Sequence, residues 1–131
     1  MARSHRKLTA VMFTDVVGYS ALAHANERLA RVLLEMHRRL LSRQIRLRRG
    51  RLIDSAGDGT FSIFDSALDA AECAVATQRA LRQHNASAEP ERRIRIRIGL
   101  HQGDVEHGRG GVFGDGVNVC ARLEPLAPAG G

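Results

Sequence analysis

Lys7 to Ser20 reads KLTAVMFTDVVGYS, and this stretch decides how the rest of the chain is organised. Lys7 to Val16 is short, apolar and rich in β-formers, which predicts a buried strand. A carboxylate, Asp15, stands at the strand's end, and Gly18-Tyr19-Ser20 turns the chain into a helix. An oxygen ligand beside the free N–H groups of a helix start suits a metal-bound phosphate. Ser20 is the expected N-cap.

Downstream, Leu22, Leu29, Leu33, Met36 and Leu40 recur at helical spacing and predict one long helix, which Gly50 is expected to end in a left-handed turn. Arg51 to Ser55 and Gly59 to Phe64 read as strands joined across Ala56-Gly57-Asp58-Gly59, an Asp-Gly hairpin that sets a second carboxylate at a tip where crowding demands glycine. Ser66 to His84 is a second amphipathic helix, with Leu68, Ala71, Val75 and Leu81 as its apolar face, and Asn85 to Pro90 a loop. Arg and Ile alternate from Arg93 to Ile98, the mark of a strand with one buried face, which continues past Gly99 into Asp104-Val105. A glycine-rich loop follows from Gly108 to Gly116, then a short helix through Leu123, on which Asn118 and Arg122 project from one face. The order βαββαβ predicts an α/β (α+β) class fold. It is a split βαβ, ferredoxin-like antiparallel sheet with helices packed on one face, and residues 1–131 form one domain.

Composition narrows the functional classes. No apolar run approaches the ~20 residues of a membrane-spanning helix, and Met1 to Lys7 is polar and basic without a secretory pattern, so a cytoplasmic protein with no membrane segment is expected. The net charge of +6 owes much to nine arginines between Arg28 and Arg51. Aromatic residues to stack on bases are few, so this charge reads as a solvated face or subunit contact and not as a nucleic-acid site. It suits a polyphosphate. Cys73 and Cys120 have no second thiol at ligand spacing and read as buried, reduced thiols. His101 and His107 lack a partner at zinc-like spacing, Gly108-Arg109-Gly110-Gly111 lacks the Gly-Lys-Ser/Thr of a Walker loop, and Gly114-Asp115-Gly116 does not fit an EF-hand.

Taken singly, Asp15 is equally a helix cap, Asp58 a turn residue and Arg122 a surface arginine paired with Glu124. Taken together, FTDVVGYS, the AGDG hairpin, IRIGLHQGDV and VFGDGVNVCARLE occur in an order and at separations that resemble the class III adenylyl/guanylyl cyclase catalytic domain, across nearly the whole chain. The resemblance implies that Asp15 and Asp58, with the backbone carbonyl of Val16, bind two Mg²⁺ or Mn²⁺ ions. It implies that Gly18, Tyr19 and Ser20 cradle the terminal phosphates through their amides. It further implies that Asn118 and Arg122, supplied by the partner subunit, position the ribose and stabilise the transition state, so that a homodimer shares its active sites. The activity implied is adenylate cyclase, ATP to 3′,5′-cyclic AMP and pyrophosphate, in intracellular signal transduction.

Two departures from the family concern base recognition. Asp54 occupies the place of a usual lysine, and Gly111 that of a usual Asp or Thr. A carboxylate accepts hydrogen bonds only; it can take the N6 amino protons of adenine, and it suits the N1–H and N2 amino group of guanine better. Guanylate cyclase is therefore the alternative activity, and a catalytically inactive nucleotide-binding regulatory domain a second one. Pro125 to Gly131 reads as a loop leading into another strand. Family domains continue through further strands, one with a basic residue for the β- and γ-phosphates, so the 131-residue chain assayed alone is expected to have much reduced or no activity.

Overall fold

The structure is a computed structural model and describes residues 5–108 and 111–131. The first strand, β1 (His5–Val16), is buried from Thr9 to Met12 without alternation, as a strand must be when both faces are covered. It lies at the centre of a five-stranded antiparallel sheet of order β2-β3-β1-β4-β5, with β2 at Arg51–Ala56, β3 at Gly59–Phe64, β4 at Ile96–Gly108 and β5 at Gly111–Phe113. The split βαβ arrangement is as expected. The fifth strand is a correction, because it forms inside the stretch read as a glycine-rich loop. Two of that loop's residues, Arg109 and Gly110, lie outside the described residues.

Four helices connect the strands: α1 (Tyr19–Ala25), α2 (Glu27–Leu47), α3 (Ala67–Ser87) and α4 (Asp115–Leu123). The single long helix expected after β1 is broken at Asn26, whose extended backbone interrupts it and whose side chain accepts from Leu29 N at 3.0 Å to cap α2. Hydrophobic spacing runs on across such a break, so periodicity alone did not reveal it. Ser20 lies inside α1; the cap position is Gly18, in the left-handed region at φ 71°.

Gly50 is also not what its position suggests. The left-handed residue after α2 is Arg49 (φ 59°), and Gly50 is a glycine because a Cβ there would lie 2.4 Å from the Phe64 ring. Gly50→Ala is therefore expected to destabilise the domain by about 1–3 kcal/mol through overpacking, read as a lowered denaturation midpoint at unchanged m-value.

Two cores result. On one side of the sheet Ala10, Met12 and Phe64 pack against Leu41 and Ile45 of α2 and Ala70 and Cys73 of α3, while Val16 and Ile96 meet Leu33, Leu34 and Leu81. The buried stripe of α3 is Ala70, Cys73, Thr77 and Leu81, whereas Leu68 and Val75 are exposed. Of the expected face only Leu81 is fully buried; the rest of the buried stripe is small residues, which let this helix approach the sheet. On the other side Val11, Phe61, Ile63 and Val105 pack against Cys120 of α4. The helices expected on one face are thus joined by a short fourth helix on the other. Cys73 and Cys120 are free and buried, and burial pushes the Cys120 thiol up to about 11.

Of the nine arginines between Arg28 and Arg51, only Arg38 and Arg48 are part-buried; the others form a solvated face with surface pairs such as Arg31–Glu27 and Arg39–Glu35. Among the described residues, no helix is long and apolar enough to cross a membrane.

Candidate active site

Strand parity and a hairpin deliver the two aspartates to the α4 side of the sheet. Val11 and Phe13 face that side, and Asp15 follows in step. Directly opposite Asp15 on β4 is Arg97, whose Nη1 lies 3.9 Å from Asp15 Oδ1. Asp58 sits in the two-residue turn between β2 and β3, and its Oδ2 accepts a hydrogen bond from Val16 N at 3.3 Å. That bond draws the second carboxylate to the residue adjoining the first. The turn needs glycine at position 57 for its φ of 57°, since a Cβ there would meet nothing within 4 Å; crowding is not the reason.

A third carboxylate joins them. Glu124, immediately after α4, is only 6% exposed, and it faces Asp15. Burial, then the close approach and negative charge of the Asp15 carboxylate, hold the Glu124 carboxyl well above the usual carboxylate range; Arg97 opposes this and Asp58 adds to it. Asp15 Oδ1 and Glu124 Oε1 are buried without a hydrogen-bond partner. Buried polar atoms are rarely left so. Three carboxylates outnumber the two guanidiniums beside them, Arg97 at Asp15 and Arg38 at the Gly57 carbonyl, and the donors are the hard oxygens that Mg²⁺ or Mn²⁺ prefers. Among the described residues, no three His, Cys, Asp or Glu groups form a cage able to hold a metal alone. The donor set fits a cation that takes its remaining ligands from a substrate.

Asn118 and Arg122 lie on the exposed face of α4. The helix's other face is pinned to the sheet: Cys120 Sγ donates to Val11 O (3.3 Å) and Gly99 O (3.2 Å), and a Cβ on Gly116 would fall 2.9 Å from Asp104 O. Among the described residues, no hydrogen bond or ion pair joins Asn118 or Arg122 to Asp15 or Asp58, and none pairs Arg122 with Glu124. One chain therefore assembles the carboxylates and holds the amide and guanidinium facing outward elsewhere.

The remaining residues singled out in the sequence are placed as follows. Gly18 and Ser20 are exposed at the start of α1, whereas the Tyr19 ring packs into the core beside Val16. Asp54 is exposed on β2 after a bulge at Ile53, and its Oδ1 accepts from Ser55 N at 2.8 Å. It borders a cavity of about 150 Å³ lined by Phe13, Gly59, Thr60 and Phe61, in which the two Phe rings stack at 4.8 Å. Gly111 opens β5 at φ 111°, so the missing side chain at this position is a backbone requirement. His107 Nε2 bonds Thr9 Oγ1 at 2.9 Å and its ring stacks on His5.

Sequence reading passed over Arg97, taken as one more polar residue of an alternating strand, and Glu124, weighed only as a surface partner of Arg122. The Arg-Ile alternation does mark which face Arg97 shares. Nothing local marks Glu124, because its contact spans more than a hundred residues of chain.

The profile described as "Adenylate and Guanylate cyclase catalytic domain" matches residues 2–130. A Rhizobium meliloti protein named "Putative adenylate cyclase 3" is 39% identical over 96% of this chain, which spans 22% of that relative. The serine/threonine-protein kinase pkn2 of Myxococcus xanthus is 32% identical over 92% of this chain, which spans 15% of it. The chain thus covers less than a quarter of the length of these two curated relatives. Among solved structures, an adenylate/guanylate cyclase/hydrolase from Silicibacter pomeroyi superposes with a TM-score of 0.89 at 36% identity, over 98% of this chain and 75% of that one. With this profile match spanning the two aspartates and the α4 pair alike, the chain belongs to the adenylate and guanylate cyclase catalytic domain family.

Proposed function

We propose that this domain is the catalytic unit of an adenylate cyclase that converts ATP to 3′,5′-cyclic AMP and pyrophosphate at the interface of a homodimer. The observation that carries the proposal is the division of the site. Asp58 bonds the residue next to Asp15, beside buried Asp15 and Glu124 oxygens that lack a partner among the described residues, while Asn118 and Arg122 face outward on a helix pinned to the same sheet. Two such chains placed head to tail complete each other.

Asp15, Asp58 and the Val16 carbonyl would hold two Mg²⁺ or Mn²⁺ ions, which supply acidification of the ribose 3′-OH and neutralisation of the triphosphate. The amides of Gly18, Tyr19 and Ser20 receive terminal phosphate oxygens. Asn118 of the second copy orients the ribose for in-line attack, and its Arg122 offsets the charge that develops at the α-phosphorus. Arg97 reaches Asp15 from the facing strand at 3.9 Å, and the Glu124 carboxyl lies close to it.

The names of the relatives support ATP. A specific feature supports GTP as the second reading: Asp54 keeps one carboxylate oxygen beyond its bond to Ser55, at the edge of the Phe13–Phe61 cavity, and acceptors there suit the guanine edge.

Incubation of the domain, extended through the further strands of its family, with Mn²⁺ and either ATP or GTP, with cyclic product resolved by chromatography, tests the proposal. Cyclic AMP exceeding cyclic GMP is expected. A reversed ratio shifts the reading to guanylate cyclase, and nucleotide binding without any cyclic product shifts it to a regulatory domain.

A further inference from the structure

The loop that carries Asp58 has little support of its own. It is the tip of a hairpin whose outer strand, β2, pairs only with β3 and is bulged at Ile53. The turn is two residues long, and the Asp58 bond to Val16 N is long at 3.3 Å. Edge hairpin tips of this kind open easily. Here an outside group reaches in. Arg38, in the middle of α2, donates from Nη2 to Gly57 O at 2.6 Å, across a separation of 19 residues. Its Nε is buried and has no partner, so the guanidinium is committed to the tip by packing and by this one charge-assisted bond.

Arg38 also differs from its neighbours. Arg39, the next residue, is on the solvated face and pairs loosely with Glu35 at 4.0 Å. The preceding residue, His37, is fully buried under the sheet, which fixes the helix face from which Arg38 emerges. A helix in the packed core therefore reaches the hairpin tip at the carbonyl of the residue just before the second carboxylate.

We propose that Arg38 is a positioning residue for Asp58: it clamps the hairpin tip through Gly57 O so that the Asp58 carboxylate is already in place when a divalent cation arrives. The proposal rests on the reading of Asp58 as a cation ligand. Two effects of Arg38 oppose each other, and the opposition makes the test decisive. As a nearby positive charge it repels a cation, so its loss by charge alone would tighten binding. As a clamp it pre-organises a ligand, so its loss weakens binding.

The test compares wild type, Arg38→Ala, Arg38→Lys and the control Arg39→Ala in two measurements. Backbone amide exchange at Gly57, Asp58 and Gly59, without metal, reads the clamp. Titration with Mn²⁺ in the presence of 3′-deoxy-ATP, which supplies phosphate ligands and cannot cyclise, followed by the EPR signal of the protein-bound ion, reads its consequence. Arg38→Ala is expected to exchange at least about tenfold faster at the tip. Its Mn²⁺ affinity is expected to fall about five- to tenfold, at a thermal midpoint close to that of Arg39→Ala. Arg38→Lys, which keeps the charge and loses the planar fork, should fall between. Unchanged exchange at the tip overturns the clamp. Mn²⁺ binding that is equal or tighter in Arg38→Ala overturns the positioning role. Absence of Mn²⁺ binding by wild type as well overturns the cation-site reading instead, and the exchange measurement still decides the clamp.

Discussion

Asp58→Ala and Arg122→Ala, each in the domain extended through its family's further strands, are expected to lower cyclic-nucleotide formation at least about a thousandfold, and an equimolar mixture of the two to recover about a quarter of the wild-type rate. The losses follow from different causes. Asp58 is one of two aspartates on the cation side of the site, and its bond to Val16 N ties it to the end of β1. Its removal leaves the proposed cation with too few ligands, beside an Asp15 oxygen that already lacks a partner among the described residues. Arg122 is exposed, and among the described residues it has no salt bridge in its own chain, so its loss leaves the fold intact. It removes charge stabilisation at a site to which its own Asp58 does not belong. If sites are shared, half of the mixed dimers pair one mutant with the other, and in each of these one site collects both defects while the second is whole. Rate measurements on the mixture decide the matter: a mixture as inactive as its components would show that the four residues act within a single chain.

The second large effect concerns stability. His37 is fully buried on α2, and neither ring nitrogen has a hydrogen-bond partner. Burial first, then the neighbouring Arg38 charge, depresses its pKa from 6.5 to about 4, against a small opposing pull from Asp58. A base whose folded pKa is depressed resists protonation only while folded. Its contribution is intact above the unfolded pKa of 6.5 and is lost as pH falls toward about 4. The loss is about 2 kcal/mol by pH 5 and about 3 kcal/mol by pH 4, a large share of an ordinary domain's stability. His37→Leu, which has no titratable group and no orphaned nitrogens, is expected to match or exceed wild-type stability at pH 7. It should be markedly more stable at pH 5. Glu124 acts in the other direction, since a raised carboxyl favours the folded state at acid pH and loses that contribution as pH rises. The difference between wild type and His37→Leu in urea titrations from pH 7.5 to 4.5 cancels the Glu124 part and isolates the histidine. A constant difference across that range would show that His37 is not buried neutral.

Much of this protein was legible in one dimension. The strand–carboxylate–helix start at Lys7–Ser20, the Asp-Gly hairpin and the Arg-Ile strand are local patterns, set by backbone sterics and by which side chains a pleated surface accepts; the first two appear where expected, and the third begins at Ile96, three residues later than the alternation from Arg93 suggests. The break at Asn26, the true buried stripe of α3 and the reason for Gly50 were not legible. Each is decided by a contact with a distant element: a cap competing with helical spacing, small residues preferred at close approach, and the Phe64 ring over the residue after α2. Chemically reactive residue types were visible too, because carboxylates beside glycines at turns are conspicuous in any sequence. Their arrangement was not.

The sequence by itself determined the family, the order of strands and helices, and the four polar residues on which a cyclase reading depends. Only the tertiary structure decided that Asp58 bonds the residue next to Asp15 while Asn118 and Arg122 face solvent, that Glu124 is buried near Asp15, and that Arg38 holds the Gly57 carbonyl. The physical reason is range. Propensity and periodicity act over a few residues, whereas the burial of a charge and the partner that answers it depend on which distant surfaces the packed sheet brings together.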